Sequence, residues 1–115
     1  MADRLRQQGT VPKANKYIDL SARWQGEDYL FEMKSTTKDN PHAQVRRGVS
    51  QLYEYRYIQN VQRAKLVLVV ENRLPKKLGW MEDYLVKDRG ILLVWEGDGT
   101  LSCPPHIRDQ LQFLH

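Results

Sequence analysis

The apolar run KLVLVV at residues 65–70 constrains the fold of this 115-residue chain more than any other feature. Its consecutive apolar side chains leave neither face of a strand to water, which is typical of a central strand in a sheet covered on both faces. Such strands pair in parallel with a neighbour, and a parallel pair needs a crossover connection that is usually a helix. The run therefore predicts an α/β fold.

A helix is predicted directly ahead of this run. Asn40 followed by Pro41 is a helix start, with asparagine as the N-cap and proline at the first helical position. The helix is expected to run to about Asn60, with an apolar stripe formed by Val45, Val49 and Leu52. A parallel crossover from the preceding strand to the apolar run is the natural connection.

Two strands are predicted before the helix. Residues 17–24 and 29–35 alternate between the two faces of a strand, and residues 25–28 have the composition of a tight hairpin turn. In the second strand the apolar side chains share one face, so Glu32 and Lys34 are expected on the other, exposed face.

The rest of the chain continues the alternation of helix and strand. A helix is predicted from Pro75 to Lys87, with Gly90 placed to end it, followed by an apolar strand at residues 91–95. Residues 97–99 form a turn, and a short amphipathic helix is expected after the last two prolines, carrying Ile107, Leu111 and Leu114.

Composition indicates one ordinary globular domain over residues 1–115, in which residues 1–16 form a polar N-terminal segment or a partial first helix. The chain has 18 Lys and Arg against 14 Asp and Glu, and this small excess of positive charge favours a polyanionic partner only weakly. No stretch resembles a membrane span or a signal peptide, and Cys103 is the only cysteine, which excludes an intrachain disulfide. We therefore expect a cytoplasmic protein without membrane association.

The register of the first hairpin decides which charged residues meet. If the two loop residues are Gln25 and Gly26, Asp19 lies directly across from Glu32; if the loop begins one residue later, Asp19 lies across from Lys34. In both registers the three charged residues share one face. Directly opposed carboxylates repel each other, so this face needs a cation, either the Lys34 ammonium or a divalent metal ion.

Paired carboxylates beside a lysine are suited to phosphodiester hydrolysis. Two carboxylates on neighbouring strands offer the hard oxygen ligands that Mg²⁺ or Mn²⁺ prefers. A metal ion there lowers the pKa of a bound water, and the ammonium of Lys34 orients that water or balances charge in the transition state. Asp19, Glu32 and Lys34 are therefore the candidate catalytic residues.

These residues resemble the motifs of the PD-(D/E)xK nuclease superfamily, RecB-like branch. The match consists of a strand aspartate, Asp19, then Glu32-Met33-Lys34, then Gln51-x-x-x-Tyr55, all within residues 17–70. The resemblance implies a restriction-endonuclease-like core, a mixed β-sheet with an antiparallel meander flanked by helices. It also implies that the Met33 carbonyl joins the two carboxylates as a metal ligand and that Gln51 is catalytic.

Two features depart from the superfamily pattern. Ile18 stands where the motif is named for proline. Many relatives also supply a glutamate from a helix ahead of the hairpin, whereas the only acidic residue before Asp19 is Asp3. The number of metal ions therefore stays open.

The predicted helix places several polar residues on one stripe. Gln44, Gly48, Gln51 and Tyr55 follow helical spacing. The glycine would let a phosphate or strand approach closely, Gln51 would bond a metal-bound water or the scissile phosphate, and Tyr55 would contact the nucleic-acid backbone or stack on a base. Two further residues on this helix, Arg46 and Arg47, are either solvated charges or contacts to nucleic acid.

Three functions follow in order of preference. The first is a Mg²⁺-dependent nuclease, most simply acting on DNA; the second is a catalytically inactive nuclease-fold module that binds nucleic acid; the third is a structural or protein-interaction domain. A salt-bridged hairpin face is the ordinary alternative to the site. His42 is either a proton carrier or phosphate ligand, or, as we prefer, a surface residue. Trp24, Trp80 and Trp95 are most simply core or edge packing residues. Internal or terminal cutting, DNA or RNA, and a homodimer or a larger enzyme all stay open.

Overall fold

A computed structural model describes residues 20–37, 39–97, 100–105 and 107. Asp19, the N-terminal segment 1–16 and the predicted C-terminal helix beyond Ile107 lie outside the described residues. The described elements are, in order, β1 (Leu20–Trp24), β2 (Glu27–Lys34), α1 (Pro41–Ile58), β3 (Lys65–Val70), a 3-10 turn (Lys76–Leu78), α2 (Gly79–Asp83), a π turn (Tyr84–Asp88), β4 (Ile91–Gly97) and β5 (Thr100–Ser102).

The strands form one mixed five-stranded sheet in the order β1-β2-β3-β4-β5. The three central strands run parallel, and β1 and β5 pair antiparallel with their neighbours at the two edges. β3 is the central strand, and its side chains from Leu66 onward are buried, which confirms the prediction from the apolar run. In the described chain the antiparallel part beside β2 is a two-stranded hairpin rather than a longer meander.

The hairpin turns at Gln25 and Gly26, whose φ angles of 51° and 80° are both positive. Two consecutive positive φ values are the signature of the tight hairpin turn whose twist matches that of the strands. The pairs Ala22↔Tyr29 and Trp24↔Glu27 fix the register. This is the first of the two registers considered above, the one in which the loop residues are Gln25 and Gly26.

Helix α1 carries the parallel crossover from β2 to β3. It begins at Pro41 and ends at Ile58, close to the predicted bounds, and the side chains of Val45 and Leu52 are fully buried. Asn40 occupies the N-cap position, but its side chain accepts a hydrogen bond from the Thr37 N–H, at 2.6 Å, instead of capping the helix.

Both faces of the sheet are covered. On one face α1 and the segment 76–88 bury Leu66, Leu68 and Leu93, and on the other Phe31 and Val67 pack with residues that include Cys103 and Ile107.

The segment predicted as one helix from Pro75 to Lys87 is helical but not uniform. It passes from a 3-10 turn through α2 into a π turn, in which the Arg89 N–H donates to the Tyr84 carbonyl oxygen at 2.9 Å. Met81 and Leu85 are buried, as their spacing predicts, and Gly90 follows with a φ of 67°. Of the helices described, none combines the length and the apolar character that a membrane crossing requires.

Candidate functional site

Glu32 and Lys34 form an ion pair on the sheet face that lies beneath α1. They are two residues apart on β2, so their side chains share a face. The Lys34 Nζ donates to Glu32 Oε1 at 3.2 Å, and the side chains are only 16% and 3% exposed. The prediction that this face is exposed is therefore wrong. The reason is the parallel crossover itself, because α1 packs over β2 and β3 and covers the face.

Helix α1 approaches the strands closely at Gly48. A Cβ atom at this position would collide with the Leu68 Cδ1 and would lie 3.5 Å from the Lys34 Cγ. The absence of a side chain lets the helix backbone lie directly over the aliphatic part of Lys34. The sequence stripe that contains Gly48 thus faces β2.

The glutamines on either side of Gly48 make different contacts. The Gln44 Nε2 donates to the Ser35 carbonyl oxygen at 2.7 Å and ties the start of α1 to the end of β2. The Gln51 Nε2 donates to the Tyr55 hydroxyl at 3.2 Å. The Gln51 Oε1 is buried and accepts no hydrogen bond from any described residue. A buried acceptor without a donor costs about 1–3 kcal/mol, so Gln51 holds an oxygen ready for a donor such as water.

Lys34 also borders a cavity of about 170 Å³ at the carboxyl ends of β2, β3 and β4. In open α/β sheets ligands bind at this end of the strands. The polar side chains around the cavity are those of Lys34, Ser35, Glu71 and Glu96. The two glutamates were not among the predicted site residues. Glu71 directly follows the central apolar strand, and this position could have identified it as a candidate site residue.

The other predicted metal ligands differ in what the structure describes. Asp19 lies outside the described residues. The register of the hairpin is the one that predicts Asp19 directly across from Glu32. The side chain of Met33 lies on the opposite face of β2 and packs against the core that contains Phe31. On the face that carries Glu32, Met33 therefore offers only main-chain atoms.

Arg46 and Arg47 lie on α1 with exposed side chains. His42, expected at the surface, is partly buried, and its ring meets that of Trp80 edge-on at 5.8 Å. Trp80 is 53% exposed, and its ring contacts those of His42 and Tyr84, which agrees with edge packing rather than core packing. The next residue, Met81, takes the inward position on α2 and leaves Trp80 at the surface.

The donors for a metal ion are incomplete within residues 20–37, 39–97, 100–105 and 107, where no three His, Cys, Asp or Glu side chains come together in a metal-binding group. Glu32 and the amide oxygen of Gln51 are hard oxygen donors of the kind that Mg²⁺ accepts. Each is a suitable ligand by its chemistry, and further oxygens are required to complete a ligand set. The chain matches no protein-family profile, no curated protein and no solved structure.

Proposed function

We propose that this domain is a metal-dependent nuclease that hydrolyses phosphodiester bonds, with DNA as the expected substrate. The observation that carries the proposal is the Glu32–Lys34 pair, held 3.2 Å apart beneath α1 beside a cavity at the carboxyl ends of the strands. The order of hairpin, helix and parallel strand supports a restriction-endonuclease-like core.

The burial of Glu32, which is only 2% exposed, counts against a site that needs an open sheet face. The position of Lys34 at the cavity is the argument for a functional role. Taking two charges out of water costs several kcal/mol per ion, and apolar residues of similar size often stabilise a protein as well or better. β2 presents Leu30 on the same face two residues earlier, so apolar packing is the alternative at position 32. A charged pair kept there next to a cavity is therefore better explained by chemistry than by stability.

A divalent metal ion would be held by Glu32, together with Asp19 and the Met33 carbonyl, the residues that the resemblance assigns. Once bound, it would lower the pKa of a water molecule and stabilise negative charge on the phosphate. Glu32 contributes a carboxylate whose position is fixed by the surrounding strand and helix.

The remaining residues have separate roles in this proposal. Lys34 reaches both Glu32 and the cavity, so its ammonium orients the attacking water and offsets charge on the phosphate. The Gln51 oxygen accepts a hydrogen bond from that water, and Tyr55 holds the amide in place. Arg46 and Arg47 contact phosphates of the nucleic-acid backbone without reading sequence.

Cleavage assays with matched variants test this function. Purified protein is incubated with labelled single-stranded DNA, duplex DNA and RNA in the presence of Mg²⁺, Mn²⁺ or a chelator. Glu32→Gln and Lys34→Met should abolish cleavage. Glu27→Gln and Lys65→Met are the controls and should leave cleavage unchanged, because Glu27 and Lys65 form an ion pair, at 2.8 Å, between the first residues of β2 and β3, at the opposite end of the sheet from the cavity.

Each result separates the three functions. Cleavage that survives the chelator, or that the Glu32 and Lys34 variants retain in full, contradicts the proposed mechanism. Salt-sensitive binding to DNA without cleavage on any substrate favours the inactive binding module, because counterion release makes such binding fall steeply with salt. Neither cleavage nor binding favours a structural or protein-interaction domain.

A further inference from the structure

A second cavity, of about 350 Å³, lies where β2 and β3 end and α1 begins. It adjoins the candidate site along the chain, since Thr36 follows Lys34 by two residues, which span at most about 7 Å. The residues that line it are Thr36, Thr37, Pro41, Asn72, Arg73 and Pro75. These residues provide hydroxyl, amide and guanidinium donors and no carboxylate.

The N-terminus of α1 opens on this cavity without its usual cap. Pro41 has no N–H, the Asn40 side chain is turned to Thr37, and the first turn has no acidic residue. The N–H groups of His42 and Ala43 therefore donate to no side chain in the described part of the protein. In an 18-residue helix these first-turn groups carry partial positive charge and attract an anion.

Thr36 provides a second and independent indication of a ligand. The residue is only 9% exposed and lines the cavity. Its hydroxyl forms no hydrogen bond with any other residue that the structure describes. The hydroxyl atom itself is not among the fully buried ones, so it can donate to a ligand in the cavity that carries acceptor oxygens.

Arg73 adds a full positive charge at the same place. Its Nε donates to Glu82 at 3.2 Å, and its guanidinium lies 4.9 Å from the centre of the Trp95 ring. These contacts hold the side chain while using only one of its five N–H donors. The remaining donors have the fork geometry that suits a phosphate group.

We propose that this cavity is a phosphate-binding subsite formed by the first turn of α1, the Thr36 hydroxyl and the Arg73 guanidinium. Phosphate binding itself stands independently of catalysis. If the domain is a nuclease, the subsite holds a substrate phosphate next to the scissile one, and this assignment rests on the proposed function.

Inorganic phosphate is the probe for the first test. The full chain, labelled with ¹⁵N, is titrated at constant ionic strength, with chloride as the control anion, and the amide signals of His42 and Ala43 are followed. They should shift and saturate with phosphate but not with chloride. Arg73→Gln should weaken binding about tenfold and Thr36→Val about threefold, as expected for a charged and a neutral hydrogen bond.

Arg23→Gln is the matched control for Arg73→Gln. Arg23 is also an exposed arginine paired with a carboxylate, that of Asp28 at 3.5 Å, but it lies at the hairpin end of β2. This variant should bind phosphate like the parent protein. Thr36→Val keeps the side-chain shape, so it tests the subsite even if the arginine variant folds poorly. Phosphate shifts that avoid His42 and Ala43, or that both variants leave unchanged, overturn the proposal.

Oligonucleotides with and without a terminal phosphate distinguish the source of the bound group. Stronger binding of the phosphorylated end, weakened in Thr36→Val, supports a terminal phosphate as the ligand. Equal binding of both ends that is weakened in the same variant supports an internal phosphodiester. Phosphate binding without any cleavage upholds the subsite and contradicts the proposed function. Cleavage without phosphate-induced shifts of the His42 and Ala43 amide signals upholds the proposed function and contradicts the subsite.

Discussion

Gly48 on α1 faces Lys34 on β2, and a Cβ atom at position 48 would lie 3.5 Å from the Lys34 Cγ. This contact fixes how close the helix backbone comes to the ion pair beneath it. It joins a residue of the predicted helix stripe to a residue of the predicted strand motif.

Replacing Gly48 with alanine should destabilise the protein. The new methyl group would collide with Leu68, which is fully buried, and overpacking of this kind costs about 1–3 kcal/mol. The better helix propensity of alanine offsets up to about 1 kcal/mol, so the expected net loss is about 1–2 kcal/mol. Urea denaturation measures it.

Gly79→Ala is the control for this substitution. Gly79 is also helical, but a Cβ atom there meets nothing within 4 Å, so the variant should be neutral or slightly more stable. Equal stability of Gly48→Ala and Gly79→Ala would show that α1 does not approach β2 closely in solution.

The Glu32–Lys34 pair should show strong coupling in a double-mutant cycle. Lys34→Met leaves the Glu32 carboxylate buried without the ammonium and should cost about 3 kcal/mol. Adding Glu32→Gln removes the buried charge and should restore most of that loss. Urea denaturation of the two single variants and the double variant gives the coupling energy.

The exposed Glu27–Lys65 pair, which joins β2 to β3, is the reference for this cycle. Lys65→Met breaks the contact with Glu27, where both partners are more than a third exposed, and should cost less than about 1 kcal/mol. A Lys34→Met cost as small as this would mean that water reaches Glu32 freely.

Stability should fall in alkaline solution through Tyr29 and Lys65. Burial raises the pKa of Tyr29 above 10.0, and the hydrogen bond to Glu27 raises the pKa of Lys65 above 10.5. Both groups hold their proton more tightly in the folded state, so stability is full at neutral pH and is lost as pH rises through the folded-state values. Urea denaturation from about pH 8 to about pH 11 measures the slope.

Glu27→Gln identifies the part of this slope that depends on the Glu27 carboxylate, which raises the pKa of both Lys65 and Tyr29. The variant removes this carboxylate, so the pKa of both groups should fall and the alkaline loss should become shallower by less than about 1 kcal/mol, since the ion pair is partly solvated. An unchanged slope would assign the alkaline loss to other groups.

The sequence predicted the centre of the sheet correctly because the apolar run at residues 65–70 indicates a single kind of strand. The run at residues 65–70 could be buried on both faces only as a central strand, and the structure places it in β3. The hairpin register was ambiguous because both two-residue loops contain Gly26. The positive φ of Gln25 distinguishes the two registers. Residue propensities do not predict that a glutamine adopts a positive φ.

The burial of Glu32 could not be predicted for a different reason. Strand alternation assigns a residue to a face, but it does not tell which face a later helix covers. The decisive contact joins Gly48 to Lys34 and Leu68 across a long stretch of sequence. For the candidate site, the sequence therefore predicted which residues share a face, and the packing of α1 determined their environment.

Gln51 should affect activity far more than stability. Gln51→Leu removes the unsatisfied Oε1 acceptor and also breaks the bond from Nε2 to the Tyr55 hydroxyl; the two effects oppose each other, so stability should change by less than about 1 kcal/mol. In the proposed nuclease the same change removes the acceptor for the attacking water, so cleavage should fall by about tenfold or more. Gln44→Leu is the matched control on the same stripe, because it breaks the bond to the Ser35 carbonyl and should cost about 0.5–1.5 kcal/mol. Thermal unfolding and cleavage rates are measured on both variants, and a Gln51→Leu variant that loses stability as Gln44→Leu does while cutting normally would make Gln51 a structural residue.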